Sequence, residues 1–332
     1  MYSNCVEKQD FSGSREALTR AVEHGMQSAL RFRGDGEMGE RVIAPLIELG
    51  AYEWLWLQPK ASFRELAQRF AEEPEFLPSD FVEPITAEDT GRRVVSTFRE
   101  RGVDRFGVRI HRAGEYPQKL RHARYPVELL YYVGSWELVE APAVSVVGTR
   151  KPTPEGVRRA RKLAKMLVRA NWTVVSGLAA GIDTAAHQGA LDAEGRTIAI
   201  LGTPISESYP PENAALQQRL SREQLVISQV PLLRYLAQRN PKANRFFFPE
   251  RNITMSALTQ ATIIVEASDT SGTRTQARAA LEQGQGRKLF ILDNCFENPA
   301  LTWPQEFEAK GAIRVSDFEQ ITDVLGAAPK PR

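Results

Sequence analysis

The sequence has 332 residues, of which 42% are hydrophobic and 25% are charged, and its formal net charge is +2. This length predicts about two domains. The composition is typical of globular proteins with buried cores, which excludes a chain that is disordered throughout. The charge also excludes a protein whose whole surface is a polycation. It does not exclude a local basic patch, because a sum conceals how charges are distributed.

The cysteines, histidines and apolar runs favour a cytoplasmic protein with reduced thiols and no metal or other cofactor. Cys5 and Cys295 lie far apart, so neither a disulfide framework nor a cysteine zinc site is predicted. The four histidines show no metal-ligand spacing. The N-terminus has no basic region followed by an apolar run, and the chain has no stretch of about 18 apolar residues. We therefore expect no signal peptide and no contact with a membrane.

Residues 1–114 are predicted to form a mainly helical domain, with helices at 14–31, 37–49, 62–72 and 86–101. Ser62 and Glu65 have the spacing of a capping box at the start of the third helix. Trp54 and Trp56 form a short aromatic cluster, which we interpret as core packing rather than as a surface for stacking bases.

From residue 115 to residue 325, predicted strands and helices alternate without a break. Apolar, β-branched runs predict strands at 127–133, 143–147, 172–176, 197–201, 226–230, 261–266, 288–292 and 313–315. Helices are predicted at 153–170, 183–193, 213–222, 250–259, 273–284 and 317–325, with a long loop at 231–248 and a frayed tail at 326–332. This alternation predicts an α/β fold with a mostly parallel sheet that helices cover on both faces.

Four turns follow predicted strands at the carboxyl edge of this sheet, where open α/β sheets bind their ligands. They are residues 148–151, 176–181, 202–203 and 267–274, and all contain small residues that let backbone N–H groups approach a ligand. One such turn is weak evidence, but four together favour a phosphate site over purely structural turns. The GxGxxG and GxxxxGK[ST] patterns are absent, which disfavours a dinucleotide-dependent dehydrogenase and a P-loop ATPase.

Basic residues are concentrated beside these turns. Eight basic residues and one acid lie between Gly148 and Arg169, which gives this segment a local charge of +7. Several of the eight are expected to form only the solvated face of a helix. Arg150 and Lys151 differ because they lie in the first turn, at the ligand edge.

A second basic segment, residues 234–251, surrounds three consecutive phenylalanines at positions 246–248. Such a segment can hold a nucleic-acid backbone electrostatically while a ring stacks on a base. We expect at least one of the three rings in the core and one near the ligand edge.

Candidates for acid–base catalysis are weak. Asp183 and His187 are spaced i, i+4, but we expect Asp183 to cap its helix and His187 to make a packing hydrogen bond. Glu266 ends a predicted strand and is expected to accept hydrogen bonds from backbone amides or from an arginine.

The ordered motifs over about residues 115–293 resemble the DNA-processing protein A family, known as DprA or Smf. The matching strings include VVGTR at 146–150, VVSGLAAGID at 174–183, FPERN at 248–252 and SGT at 271–273. The resemblance implies an extended Rossmann-like, doubly wound domain over residues 115–325 that binds single-stranded DNA without enzymatic turnover. It also implies a homodimer, a RecA-type recombinase as partner, a role in DNA recombination and natural transformation, and a member without the family's C-terminal winged helix.

The motifs and the resemblance together predict one set of DNA- and phosphate-binding residues: Gly148, Thr149, Arg150, Lys151, Ser176, Gly177, Gly181, Arg245, Phe248, Arg251, Asn252, Gly272, Thr273 and Arg274. Asp293 and Asn294 stand where the family has proline and glycine, and two arginines of the family pattern are also replaced. Ala180 and Ile253 stand where the family usually has arginine, so two positive groups are expected to be missing.

Two other functions stay open at this point. The same pocket could sense a small signalling nucleotide in a mobile-element or phage-defence setting, which the missing arginines favour. An N-glycosidase of the lysine-decarboxylase-like type is disfavoured, because Gln276 stands where those enzymes have a glutamate, and an amide cannot ionise to stabilise a cationic centre.

Overall fold

A nine-stranded sheet organises the residues that the structure describes. The computed structural model describes residues 43–121, 123, 125–238, 240–268, 272–282, 286–326 and 328. Its strands in chain order are β1 (Gly107–Ile110), β2 (Leu129–Gly134), β3 (Ala143–Val147), β4 (Thr173–Ser176), β5 (Thr197–Leu201), β6 (Leu225–Ser228), β7 (Ala261–Ile264), β8 (Lys288–Leu292) and β9 (Ile313–Val315). Their spatial order is β1-β2-β6-β5-β4-β3-β7-β8-β9.

All neighbouring strands are parallel except the pairs β1–β2 and β2–β6. The predicted α/β fold with a mostly parallel sheet is therefore confirmed. β3, β4 and β5 are buried at every residue, as expected for parallel strands that helices cover on both faces.

The helices in chain order are α1 (Pro45–Leu57), α2 (Phe63–Glu72), α3 (Pro84–Glu100), α4 (Gln118–Arg121), α5 (Pro154–Arg169), α6 (Ile182–Asp192), α7 (Ala214–Glu223), α8 (Leu232–Leu236), α9 (Phe247–Leu258), α10 (Thr273–Glu282), α11 (Trp303–Glu308) and α12 (Phe318–Leu325). Short 3-10 helices occupy Pro78–Phe81, Trp136–Glu140, Pro211–Asn213, Pro241–Phe246 and Asp293–Cys295. None of the described helices combines the length and the apolar composition that a membrane span requires.

The main core lies between the sheet and the pair α5–α6. Leu163 and Leu167 of α5 pack with Val144 and Val146 of β3 in one cluster of buried side chains. A second cluster joins Leu220 of α7 to apolar residues of β5 and β6.

Both clusters lie on one face of the sheet, because the register pairs Val174 with Thr197 and so places Ala199 on the same side. The residues that alternate with them point to the other face, where the Ser145 hydroxyl lies 2.8 Å from the hydroxyl of Thr259, just after α9. Burial on both faces explains why the strands read as continuous apolar runs rather than as alternating ones.

The order of the strands creates a switch point beside β3. The chain passes from β3 to β4, β5 and β6 in one direction, and then returns to β7 on the other side of β3. Connections therefore leave the carboxyl ends of β3 and β7 in opposite directions. A crevice opens at such a point, and it is where open α/β sheets bind ligands.

The helices before the sheet pack against it through buried aromatic rings. Trp56 is fully buried, and its ring centroid lies 4.7 Å from that of Phe63 and 6.1 Å from that of Phe247 in α9. The interpretation of Trp56 as a core residue is confirmed, and Ser62 caps α2 by accepting from the Glu65 amide at 3.1 Å. The proposed division of the chain near residue 114 stays a prediction.

Two predicted helix boundaries were wrong. The helix predicted to end at Leu49 continues to Leu57. Gly50 lies inside it, where α1 and α3 approach closely: a Cβ there would lie 1.8 Å from the Ala87 carbonyl oxygen. The helix predicted to begin at Glu250 begins at Phe247. Pro249 is tolerated inside it because the first-turn amides of a helix have no intrahelical acceptor.

Other elements were missed. β1 is short and partly exposed, so it lacks the apolar run by which the other strands were recognised. The predicted loop at 231–248 contains α8 and the 3-10 helix Pro241–Phe246, both too short to show a helical period. The helix predicted at 14–31 lies outside the described residues.

Candidate functional site

An open cleft of about 660 Å³ lies at the switch point, between the turns that follow β3 and β7. Eight of the predicted binding residues line it: Gly148, Thr149, Arg150, Lys151, Arg251, Asn252, Gly272 and Thr273. The sequence thus placed residues from three separate segments in one cleft.

The first turn of the cleft is held by backbone hydrogen bonds on both sides. The amide of Thr149 donates to the carbonyl of Glu266 at 2.7 Å, and the Thr149 carbonyl accepts from the Ile182 amide at 3.2 Å. The turn is therefore fixed to the ends of β7 and α6. Arg150 and Lys151 are exposed, and no ion pair joins either side chain to another described residue.

The Glu266 carboxylate holds the start of α5 beside this turn. Its two oxygens accept from the amide and the hydroxyl of Thr153, at 2.8 and 2.7 Å. The Thr153 hydroxyl in turn accepts from the Gly156 amide at 3.0 Å, as expected of an N-cap. The expectation that Glu266 accepts from a backbone amide is confirmed, and its role is to position the turn.

Arg251 lies on the floor of the cleft and is only 4% exposed. Its Nη1 donates to the carbonyls of Gly177 and Ile200, at 2.5 and 2.6 Å, and its Nε donates to Oδ1 of Asn252 at 2.9 Å. Burial lowers the pKa of Arg251 to about 10; the Asp183 carboxylate opposes this shift and the charge of Arg150 adds to it. Arg251 thus joins the ends of β4 and β5 while it adds positive charge below the cleft.

Polar groups of the second turn, residues 176–181, form hydrogen bonds with other residues of the fold. The Ser176 hydroxyl donates to the Val146 carbonyl at 2.7 Å, and Oδ2 of Asp183 accepts from the Gly177 and Ala179 amides at 3.1 and 3.3 Å. Asp183 therefore binds the turn before its helix and does not cap the helix, so that expectation was wrong.

Two glycines of this turn are required by its geometry. A Cβ at Gly177 would lie 2.0 Å from Nη1 of Arg251, so only glycine lets the arginine approach. Gly181 has φ of +83°, in the left-handed region that favours glycine, and precedes the first residue of α6. Direct contact of Ser176, Gly177 and Gly181 with a phosphate stays a prediction; their observed contacts are internal.

A ledge of two aromatic rings borders the cleft beside Arg150. The guanidinium carbon of Arg150 lies 5.4 Å from the ring centroid of Phe248, and that ring lies 5.4 Å from the ring of Tyr209. Phe247 is fully buried whereas Phe248 is partly exposed, which confirms that one ring belongs to the core and another to the ligand edge. We call Tyr209 and Phe248 the aromatic ledge.

Tyr209 was missed among the predicted site residues, although its ring is 48% exposed. It lies in the connection from β5 to α7, eight residues after the strand ends. The length of that connection at the ligand edge is the signal that could have found it, because short βα connections leave no room for such a ring.

The remaining predicted residues lie around the cleft. Arg245 is exposed on the 3-10 helix Pro241–Phe246, close in sequence to the aromatic ledge. Asn252 donates to the Gly272 carbonyl at 3.5 Å. Arg274 pairs with Glu306 at 3.0 Å, so part of its charge is already compensated.

The acid–base candidates are buried in hydrogen bonds that serve the fold. Nδ1 of His187 lies 2.8 Å from the Thr197 hydroxyl, which confirms the expected packing hydrogen bond. Burial lowers the pKa of His187 to about 3, so the ring is neutral near pH 7. Gln276 is 1% exposed at the edge of the cleft and donates to the Ser256 hydroxyl at 2.6 Å.

Most of the chain matches proteins of one family. The chain matches the family model described as DNA recombination-mediator protein A over residues 107–326. The chain belongs to this family. It is 36% identical over 219 residues to the protein Smf of Synechocystis, covering 65% of this chain and 53% of that protein. It is 30% identical over 234 residues to the DNA processing protein DprA of Bacillus subtilis, covering 70% and 75%. The chain thus spans about half the length of the first relative and three quarters of the second.

Solved structures of DprA proteins share the fold. The DprA of Streptococcus pneumoniae superposes with a TM-score of 0.65 at 25% identity, covering 85% of this chain and 99% of that one. The DprA of Helicobacter pylori, whose structure concerns its single-stranded DNA binding mode, gives a TM-score of 0.55 at 24% identity over 67% and 95%. The extended Rossmann-like architecture implied by the resemblance is confirmed.

Proposed function

We propose that this DprA-family protein binds single-stranded DNA in the cleft at the switch point. The observation that carries the proposal is the pairing of exposed, uncompensated cations with the aromatic ledge: Arg150 lies over Phe248, and Lys151 lies beside it in the same turn. Cations track the phosphates of a single strand, while a ring stacks on its bases without regard to sequence.

The charge around Arg251 supports an anionic ligand. Arg251 and Arg150 repel each other across the floor of the cleft, and Asp183 lies close enough to offset part of that repulsion. A phosphate beside Arg150 would relieve the rest. The H. pylori relative, described for its single-stranded DNA binding, supports the same ligand class.

A salt titration of single- and double-stranded oligonucleotide binding tests this function. We expect tighter binding of the single strand, with an affinity that falls as salt rises by about 0.7 in log K per log salt for each phosphate contact. Arg150→Ala should lower that slope by about 0.7. A slope near zero for the unaltered protein would exclude a DNA-binding cleft, and an unchanged affinity in Arg150→Ala would exclude this one.

We further propose that the protein acts without turnover as a recombination mediator, in line with the description of its family. The partner would be a RecA-type recombinase, the protein would act as a cytoplasmic homodimer, and natural transformation is one setting for that activity. Filament assembly by the recombinase on DNA coated with single-strand-binding protein would test the mediator role, and light scattering would test the dimer. Acceleration by this chain is the expected result; none would exclude mediation.

The absence of turnover is supported by the groups around the cleft. Gln276 cannot ionise, and Asp183 and His187 are buried in contacts that brace the fold. Release of free base from a nucleoside monophosphate would contradict this part of the proposal.

A second candidate, the sensing of a small nucleotide, is favoured by the size of the cleft. About 660 Å³ is within the range of small-molecule sites, and Ala180 and Ile253 reduce the positive charge that a long polyanion would meet. Stabilisation by a mononucleotide but not by an oligonucleotide would favour this candidate over the first.

A further inference from the structure

The outward face of α5 is a basic surface that the cleft does not use. A shallow groove of about 540 Å³ on this face is lined by Arg158, Arg161, Lys162, Lys165, Met166 and Arg169. We call these residues the α5 basic groove. The opposite side of the helix, including Leu163 and Leu167, is buried in the core, so the groove faces away from the sheet.

The spacing of the basic residues makes one continuous stripe. Positions 158, 162, 165 and 169 are separated by four, three and four residues, which places them in line along a helix. With 16 residues at about 1.5 Å each, α5 is about 24 Å long. Glu266 fixes the N-cap residue Thr153, so α5 begins beside the turn that carries Arg150 and Lys151.

Intramolecular ion pairs compensate only part of this charge. Glu155 pairs with Arg158 and Arg159, and Asp192 pairs with Arg161 and Lys165. Six basic side chains of α5 therefore face two carboxylates, an excess of four positive charges. Within the described residues, no ion pair is formed by Lys162 or Arg169, which are both exposed.

A helix selected only for solubility would carry acids among these cations. Residues 156–171 contain no acidic residue, and three pairs of basic residues stand four positions apart, where like charges destabilise a helix. The stripe therefore costs stability within the folded chain. A bound polyanion would attract these cations, so the same residues would then be stabilising.

We propose that the α5 basic groove is a second contact surface for the single strand held in the cleft, which binds the phosphates that continue beyond it. This inference rests on the proposed function. The groove contains no aromatic ring, so its contacts would be to the backbone and would not depend on base sequence. The groove spans about 16 Å from position 158 to position 169, which at no more than about one phosphate per 3.4 Å accommodates at most about five phosphates.

Oligonucleotide length separates the groove from the cleft. Fluorescence anisotropy with the full chain would compare oligothymidylates of six and 24 nucleotides, of which only the longer can extend from the cleft along α5. The double variant Lys162→Ala/Arg169→Ala should weaken binding of the 24-mer by about five- to tenfold and lower its salt slope by about 1.4, or 0.7 for each lost contact. Binding of the six-mer should change by less than about twofold.

A matched control removes two positive charges elsewhere. Arg64 of α2 and Arg222 of α7 are exposed, so Arg64→Ala/Arg222→Ala gives the same net charge as the test variant. We expect the control to bind both oligonucleotides like the unaltered protein. Lys162→Gln/Arg169→Gln provides a second test variant, and thermal melting checks that each variant folds.

The outcomes distinguish this inference from the proposed function. If Arg150→Ala weakens binding of both oligonucleotides while the α5 variants weaken binding of neither, the cleft binds DNA and the groove does not. The groove is not a separate surface if the α5 variants weaken binding of the six-mer as much as binding of the 24-mer. The same conclusion follows if they weaken binding of the 24-mer no more than the control variant does. If Arg150→Ala changes neither, the proposed function itself fails.

Discussion

Two arginines of the cleft differ in burial. The exposed one can bind a ligand, whereas the buried one mainly stabilises the fold. Arg150 is exposed and lies over the Phe248 ring, whereas Arg251 is buried and donates to two backbone carbonyls. Arg150 can therefore approach a phosphate at no cost to the fold. Arg251 acts on a ligand mainly through the turns that it holds and through its charge.

Substitution should divide the two roles. Arg251→Ala leaves two buried carbonyls without their donor and Asp183 without a nearby cation, so we expect the free energy of unfolding to fall by about 3–5 kcal/mol. Arg150→Ala should change it by less than about 0.5 kcal/mol, as is usual for exposed positions. Urea denaturation measures both. Equal destabilisation by the two variants would show that Arg150 also supports the fold.

Adding the missing charge gives a complementary test. Ala180 is partly exposed in the turn that precedes Gly181, where the family resemblance implies arginine. We expect Ala180→Arg to tighten single-strand binding several-fold and to raise the salt slope by about 0.7, because it adds one phosphate contact. Ala215→Arg, on an exposed position of α7, adds the same charge away from the cleft. An equal gain from both variants would indicate a general charge effect.

At this scale, the sequence predicted which residues lie near the ligand but not what each one contacts. Arg150 and Lys151 follow a buried strand directly, and that position alone places them at the carboxyl edge of the sheet. The burial of Arg251 and the internal bonds of Ser176 depend on carbonyls from distant strands. No local pattern records those partners.

Among the elements, α1 is joined to the sheet by a buried carboxyl group. Glu53 of α1 accepts from the Tyr131 hydroxyl of β2 at 2.6 Å, and from the amides of Leu232 and Leu233 at 2.7 and 2.9 Å. Burial raises the pKa of Glu53 to about 7, although these three donors oppose the shift. The contact connects residues far apart in sequence, so the sequence alone could not reveal it.

The raised pKa of Glu53 predicts how stability depends on pH. Because its proton is bound more tightly in the folded chain, the stabilisation is complete below about pH 4.5 and is lost as the pH rises to about 7. The loss amounts to about 3 kcal/mol at 1.36 kcal/mol per pKa unit. Glu53→Gln cannot ionise, so the difference in unfolding free energy between the two proteins should shift by this amount over the same range. A constant difference from pH 5 to pH 8 would show that Glu53 does not titrate there.

Strands and helices were predictable where a run of apolar residues was long enough to show a clear pattern. β3, β5, β8 and β9 have the predicted bounds because β-branched apolar runs were limited by turn residues on both sides. β1 and α8 are only four and five residues long, so packing determines them more than local sequence does. Gly50 also shows that local sequence is not enough. A glycine is typical of a helix end, but this one lies inside α1, in close contact with α3.

For the whole molecule, the net charge of +2 is an average over unlike surfaces. The α5 basic groove alone has an excess of positive charge greater than that of the entire chain, so acids elsewhere offset it. Long-range attraction of a polyanion depends on this local field and is screened within about 10 Å at 0.1 M salt. Net charge is therefore a poor guide to the ligand of this protein.

Ligand-induced stabilisation tests the choice between the two candidate functions in the intact chain. A ligand present at about 100 times its Kd stabilises the folded state by about 2.7 kcal/mol, which for a chain of this length corresponds to a rise in Tm of roughly 4 °C. We expect this rise with a 24-nucleotide single strand, a smaller one in Arg150→Ala at the same concentration, and none with a mononucleotide. A rise with the mononucleotide alone would identify the cleft as a nucleotide sensor. That result would also remove the basis for a strand along α5, because a ligand confined to the cleft cannot reach Lys162 or Arg169.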